Sequence, residues 1–207
     1  HSQEKAQVIK PRSYQMFGEF DVASMYPSII IEQGLFPEHL TKNFLTVYSN
    51  IKDERLKAKR EGDHVVNAAY KILLNGSYGK FGSKYSFLYS PELLIQTTIT
   101  GQLSLLMLIE KMSKAGGKVV SANTDGVNVL YNKVNYNNIH SVQFEWEMLT
   151  GYELEYTPYK STFNRDVNNY IAIKENGIKG KGAFSEPNLM KNPTNEICIL
   201  AVKSFLL

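Results

Sequence analysis

Apolar and polar positions along the chain change period several times, and each change marks an element. Residues 17–22 (Phe-Gly-Glu-Phe-Asp-Val) predict a strand with Asp21 at its C-terminal end. After Pro27, residues 28–33 predict a short helix. Residues 48–61 are crowded with Lys, Arg and Glu and predict an exposed helix. Gly62 and Asp63 break it, and Asp63 is placed to cap a second helix over 64–76. The two make a helical hairpin. Gly76, Gly79 and Gly82 predict a loop. Pro91 opens a long helix running to about Ala115, closed by Gly116 and Gly117. Residues 118–122 and 127–131 alternate as a β-hairpin with 123–126 at its turn. A helix near 136–149 follows, then strands over 152–163, 167–174 and 178–184, the last two joined at Glu175-Asn176-Gly177. This order predicts an α+β fold, an antiparallel sheet with helices packed on one face. The 50–78 hairpin is expected to project from it, because its charged helix offers little apolar surface to bury.

Bulk properties narrow the picture only modestly. The 207 residues suffice for one substantial domain with a small subdomain. A net charge of +3 permits a nucleic-acid partner without demanding one. The single cysteine, Cys198, excludes an internal disulfide framework and fits a reducing compartment. The longest apolar run, residues 105–109, is far too short to span a bilayer, and the polar N-terminus shows no signal-peptide pattern. The expectation is a cytoplasmic protein with no membrane partner. The apolar end Ser204-Phe205-Leu206-Leu207 reads as a chain cut inside an element, so a fragment is expected.

Chemistry enters with an ordered triplet. Asp21-Val22-Ala23-Ser24-Met25-Tyr26-Pro27-Ser28 is followed fifty positions on by Lys71-Ile72-Leu73-Leu74-Asn75-Gly76-Ser77-Tyr78-Gly79, and then by Asn123-Thr124-Asp125-Gly126. Two aspartates, one at a strand end and one in a hairpin turn, suit metal-assisted phosphoryl transfer, in which two divalent ions about 3.5–4 Å apart serve the attacking and leaving oxygens. Mg²⁺ prefers oxygen ligands and keeps waters, so two carboxylates plus substrate phosphates suffice. Taken singly, Asp21 reads as a cap and Asp125 as a turn former; the order and spacing of all three segments favour the metal. Arg55 and Lys59, four apart, share a helix face, and Lys71 and Asn75 stand one turn apart on the next helix. Such cations can grip a triphosphate and neutralise charge on a leaving pyrophosphate. Lys57 and Arg60 read instead as solvated partners of Asp53, Glu54 and Glu61. Lys71, set among Ala68, Ala69, Tyr70, Ile72 and Leu73, is expected to have a partner.

These segments resemble motifs A, B and C of the family B DNA polymerases over roughly residues 15–185. The first motif, Asp-x-x-Ser-Leu-Tyr-Pro-Ser, stands as Asp21, Ser24, Met25, Tyr26, Pro27 and Ser28. The second, Lys-x-x-x-Asn-Ser-x-Tyr-Gly, stands as Lys71, Asn75, Gly76, Tyr78 and Gly79. The third, Asp-Thr-Asp-Ser, stands as Asn123, Thr124, Asp125 and Gly126, and Arg55 and Lys59 match the Arg-x-x-x-Lys of the fingers helix. Ile99, Thr100 and Gln102 fit loosely the segment between motifs B and C.

The resemblance implies a template-directed DNA polymerase core that uses primer-template DNA, deoxynucleoside triphosphates and two Mg²⁺ ions, or Mn²⁺ in their place. Asp21 and Asp125 would be catalytic and hold the metals together with Val22. Ser24, Met25, Arg55, Lys59 and Lys71 would bind the triphosphate, with the amides of 22–25 cradling phosphates. Tyr26 would lie under the sugar and exclude a ribose 2′-OH; Asn75 and Tyr78 would line the base-pair pocket. Gly79, Thr124, Tyr170, Lys179 and Lys181 would meet primer or DNA, although the family's basic run before the Tyr is Asn168-Asn169 here. Residues 1–43 would begin a palm, 44–80 form a fingers hairpin, 81–190 complete the palm, and 191–207 start a truncated thumb or other C-terminal element. Asn123, where the family has Asp, and Gly76 and Gly126, where it has Ser, are departures. A phage-like origin, and with it a host cytoplasm, is expected from the short spacing. The alternative is a non-catalytic polymerase-like module that binds nucleic acid or a protein.

Overall fold

A computed structural model describes residues 6–185 and 196–206. The fold is α+β, with two antiparallel sheets rather than the one expected. The strands are β1 (Gln7–Ile9), β2 (Gln15–Val22), β3 (Gly117–Ala122), β4 (Gly126–Asn132), β5 (Leu154–Pro158), β6 (Ser161–Asp166), β7 (Asn169–Lys174) and β8 (Gly177–Lys181). The helices are α1 (Met25–Glu32), α2 (Asn43–Glu61), α3 (His64–Lys80), α4 (Pro91–Lys114), α5 (Tyr136–Thr150) and α6 (Glu196–Leu206). One sheet has the order β3-β4-β2-β5 and the other β1-β6-β7-β8. The chain divides into two compact units, one made of residues 1–21, 112–140 and 156–207, the other of 22–111 and 141–155.

In the first unit, β2 pairs with β4 along its length, from Gln15 opposite Asn132 to Asp21 opposite Gly126. Its core joins Ile9, Phe17, Tyr159, Tyr170 and Ala172, with Val120 and Leu130 packed against them. Burying a side chain such as Phe17 is worth roughly 2–3 kcal/mol. The expected strand 152–163 is in fact two strands, because the chain changes sheets at Tyr159–Lys160. The Tyr159 N–H donates to Phe17 O of β2 at 2.8 Å, and the next N–H, on Lys160, donates to Ile173 O of β7 at 2.7 Å. Hydropathy does not register this switch, since both halves keep backbone partners. Gly18 makes room beside it: a Cβ there would fall 2.4 Å from the Tyr156 ring and 2.9 Å from Thr157 O.

In the second unit, Ile30, Tyr48, Leu74, Phe81 and Leu93 form the core, and the Tyr48 hydroxyl donates to Leu74 O at 3.0 Å. Helix α2 starts at Asn43, five residues before the charge pattern places it, and so gains Phe44 and Leu45 as apolar contacts. Asp63 caps α3 as expected, accepting from the Val66 N–H at 3.0 Å. The loop expected at Gly76, Gly79 and Gly82 is corrected: α3 continues through the first two. Each glycine costs a helix about 1 kcal/mol, and burial of Leu74 and Phe81 on either side offsets that. By length and composition α4 is the one helix among the described residues apolar enough to cross a bilayer. Its buried positions, Leu93, Thr97, Gly101, Leu105, Leu108 and Met112, recur at helical spacing, the mark of a helix packed on one side.

The strands expected at 167–174 and 178–184 shorten to β7 and β8, with residues 182–184 in a 3₁₀ turn. Neither β1 nor α6 was expected from the pattern. Of the expected C-terminal element, residues 191–195 and 207 lie outside the described residues.

Candidate active site

The β2–β4 pairing decides where the two aspartates stand. Asp21 ends its run opposite Gly126, the neighbour of Asp125, so both carboxylates occupy one end of the strand pair. Asp21 Oδ1 lies over Gly126: a methyl group built there would fall 2.9 Å from it. Glycine in place of the family's Ser therefore leaves the Asp21 carboxylate its position. Among the described residues the Asp125 carboxylate takes part in no hydrogen bond or ion pair. Both carboxylates act on Tyr170, helping to raise its phenol pKa.

Asn123 closes the turn. Its side-chain oxygen accepts from the N–H groups of Asp125 and Gly126 at 3.2 and 2.9 Å, and its own N–H donates to Gly126 O. This is an Asx-type turn, which an aspartate makes equally well. The Asp-to-Asn departure thus preserves the turn's geometry while removing one charge. Replacing Asn123 with Ala should cost about 1 kcal/mol and lower the melting temperature by roughly 2–4 °C, while Asn123→Asp should leave it in place. Thermal unfolding measures both, and an unchanged Ala variant would show that the turn holds itself.

No three or more His, Cys, Asp or Glu side chains cluster as metal ligands among the described residues. The donor set at the turn is two carboxylates, all oxygen. That suits a hard cation such as Mg²⁺, which keeps waters and takes phosphate oxygens, and does not suit a closed structural zinc site.

The residues assigned to the triphosphate lie in the second unit. Ser24 links β2 to α1 with φ 52° and ψ 52°, the only non-glycine residue at positive φ among those described. Holding a side chain in that region costs of order 1–3 kcal/mol. The segment is secured by Ser28, whose N–H donates to Ser24 O and whose hydroxyl donates to Ala23 O, and by Arg55, whose Nη1 donates to Ser24 Oγ. The Arg55 Nε donates to Asn67 at 3.3 Å, and partial burial lowers the guanidinium pKa against the opposing charge of Glu155. Lys59 is ion-paired to Glu155. Val22 and Met25 are buried, leaving their main chain as the available part.

On α3, Lys71, Asn75 and Tyr78 share a face. Lys71 and Asn75 are exposed, and Lys71 has no hydrogen-bond or ion-pair partner among the described residues, contrary to expectation. Tyr78 stacks on Tyr26 with ring centroids 4.0 Å apart and planes 11° from parallel, and its hydroxyl meets Thr98 Oγ1 at 2.7 Å. The two tyrosines assigned to one pocket are therefore in contact. Gly79, in the last turn of α3, and Thr124, at the hairpin tip, are exposed.

Sequence reasoning missed Glu19 and Tyr159. Glu19 is buried on β2, two residues before Asp21 and on the same face. It accepts from Tyr159 Oη at 2.5 Å, Lys179 Nζ at 2.6 Å and Tyr170 Oη at 3.3 Å. Burial works to raise its pKa; the bonds from Lys179 and Tyr159 and the Lys179 charge outweigh it, with Tyr170 adding, and hold it below the ordinary carboxylate value. Burial and the Glu19 charge push the phenols of Tyr159 and Tyr170 up. The signal available in the sequence was a carboxylate between Phe17 and Phe20 in a strand otherwise apolar, which calls for buried partners. Lys181 lies over the Tyr170 ring, 5.8 Å from its centroid.

Comparison with known proteins agrees with the fold class and with the family resemblance. Residues 29–93 match the family model for DNA polymerase type B, organellar and viral. DNA polymerase II of Escherichia coli (strain K12) is 27% identical over 140 residues, which are 56% of this chain and 18% of that protein. DNA polymerase 1 of Sulfolobus acidocaldarius is 33% identical over 85 residues, 41% of this chain and 9% of that protein. The chain thus spans less than a fifth of either relative's length. The family B DNA polymerase of the archaeon Pyrobaculum calidifontis superposes with a TM-score of 0.61 at 18% identity, covering 88% of this chain and 29% of that one. The fold resembles part of a family B DNA polymerase, and stretches of the chain are similar in sequence to DNA polymerases.

Proposed function

We propose that this chain carries the nucleotidyl-transfer centre of a template-directed DNA polymerase, adding deoxynucleotides to a primer 3′ end. The observation that carries the reading is the register of β2 on β4, which sets Asp21 against the turn bearing Asp125, in a chain whose motif B lysine and asparagine stand exposed on one helix face. Asp21 and Asp125, with the Val22 carbonyl, would hold two Mg²⁺ ions, whose chemistry is to make the primer 3′-oxygen a better nucleophile and to take charge from the phosphates. Arg55 and Lys71 bind the triphosphate and neutralise charge gathering on the departing pyrophosphate. Arg55 also ties down Ser24, so that main-chain N–H groups around it are held for phosphate oxygens. Lys59 must leave Glu155 to join them. Tyr26, braced by Tyr78, supports the sugar and disfavours a 2′-hydroxyl. On this reading residues 44–80 would be the fingers hairpin, and residues 1–43 and 81–190 the palm.

A second reading, a polymerase-like module that binds nucleic acid without catalysis, is favoured by the lost charge at Asn123. The test is primer extension on a short template with Mg²⁺ or Mn²⁺, using the longest native chain. Extension that needs deoxynucleotides and a metal supports the enzyme; duplex binding with no extension under either metal supports the module.

A further inference from the structure

Glu19 is the only buried charged side chain among the described residues, 3% exposed. All three of its donors come from beyond the sheet that carries it: Tyr159 at the point where the chain changes sheets, Tyr170 on β7 and Lys179 on β8. The Lys179 ammonium also donates to Tyr159 Oη at 3.2 Å. An ammonium has three hydrogens. Glu19 and Tyr159 take two, and the third remains on a side chain still 37% exposed. Lys179 and Lys181 share one face of β8, and Lys181 stands directly across from Tyr170 in the register. A buried carboxylate thus gathers two hydroxyls and one ammonium onto β2, the strand that carries Asp21.

We infer that Glu19 is a positioning residue for the strand being extended: it fixes Lys179 against β2 so that the remaining N–H of Lys179 takes a primer phosphate, and it fixes Tyr170 beside that lysine. The inference rests on the polymerase reading. It makes a prediction of opposite sign to simple charge. Removing a carboxylate raises the net charge, which by phosphate neutralisation alone strengthens DNA binding. Loss of positioning weakens productive binding instead, because the freed ammonium swings into solvent.

The test is steady-state primer extension with the longest native chain, varying primer-template and deoxynucleotide separately, for wild type, Glu19→Gln, Lys179→Met and the double variant. The expected result is a rise of about tenfold in KM for primer-template in each single variant, with KM for deoxynucleotide within about twofold. The double variant should match either single one, because the two residues act as a unit. A KM for primer-template that is unchanged or lower in Glu19→Gln, with only kcat reduced, would overturn the inference by showing a residue that merely supports the fold. Should Glu19→Gln fail to fold, Glu19→Asp and Lys179→Met carry the same expectation, and an unchanged KM in them overturns it equally. Wild-type chain that extends no primer defeats the polymerase reading itself, and this inference with it.

Discussion

Asp125→Asn should reduce primer extension by about three orders of magnitude, roughly 4 kcal/mol of transition-state stabilisation, while leaving thermal stability equal to or slightly above that of the wild type. The two halves of this result have separate causes. Loss of activity follows if the carboxylate is half of a two-carboxylate metal site. Retained stability follows from its surroundings: the Asp125 main chain is held by Asn123, whereas its carboxylate has no hydrogen-bond or ion-pair partner among the described residues. Asp21 stands against the adjoining Gly126, so removing one of two neighbouring negative charges relieves repulsion. A residue that lowers stability and raises rate is the signature of a functional group, not of a turn former. Asparagine is at home in turns, so if Asp125 were only a turn residue the variant would extend primers as before. Extension rates and unfolding curves on the same preparations separate the two.

Lys71→Met should lower kcat/KM for deoxynucleotide by about a hundredfold, near 2.7 kcal/mol, again without loss of stability. Lys71 is exposed on α3 and has no partner among the described residues, so methionine removes no protein–protein interaction and keeps most of the aliphatic stem. Lys59 offers the control. It is paired with Glu155, at a side chain 42% exposed, and an exposed pair contributes about 0–1 kcal/mol. Lys59→Met therefore changes stability little, and its effect on turnover is smaller because the wild-type lysine must first leave its partner. Steady-state extension with varied deoxynucleotide checks this; a kcat/KM unaltered in Lys71→Met would make that lysine a solvating residue.

Much of the framework of the candidate site was legible because it rests on local rules. The strand ending at Asp21, the Asp63 cap and the hairpin holding Asp125 each follow from nearby side chains, and the structure has all three. What escaped depends on contacts distant in sequence. The glycines at 76 and 79 look like a loop until Leu74 and Phe81 are seen buried around them. The break at Tyr159 is invisible because it exchanges one set of backbone partners for another. The rule that a lone charge in an apolar element has a partner failed for Lys71 on its exposed helix face and would have found Glu19 on its buried strand face. Burial, not composition, decides which case applies.

Ser24 joins backbone cost and side-chain gain in one residue, and that sets what a randomised position 24 would accept. Glycine relaxes the left-handed conformation at no steric expense, and asparagine tolerates it, yet glycine gives up the oxygen that Arg55 holds. A library screened for soluble, folded chains would be enriched in glycine there. Screened for nucleotide addition, the same library would return serine. The two selections would disagree at this codon, and their disagreement would report how much strain the turn between β2 and α1 is kept under for the sake of the proposed chemistry.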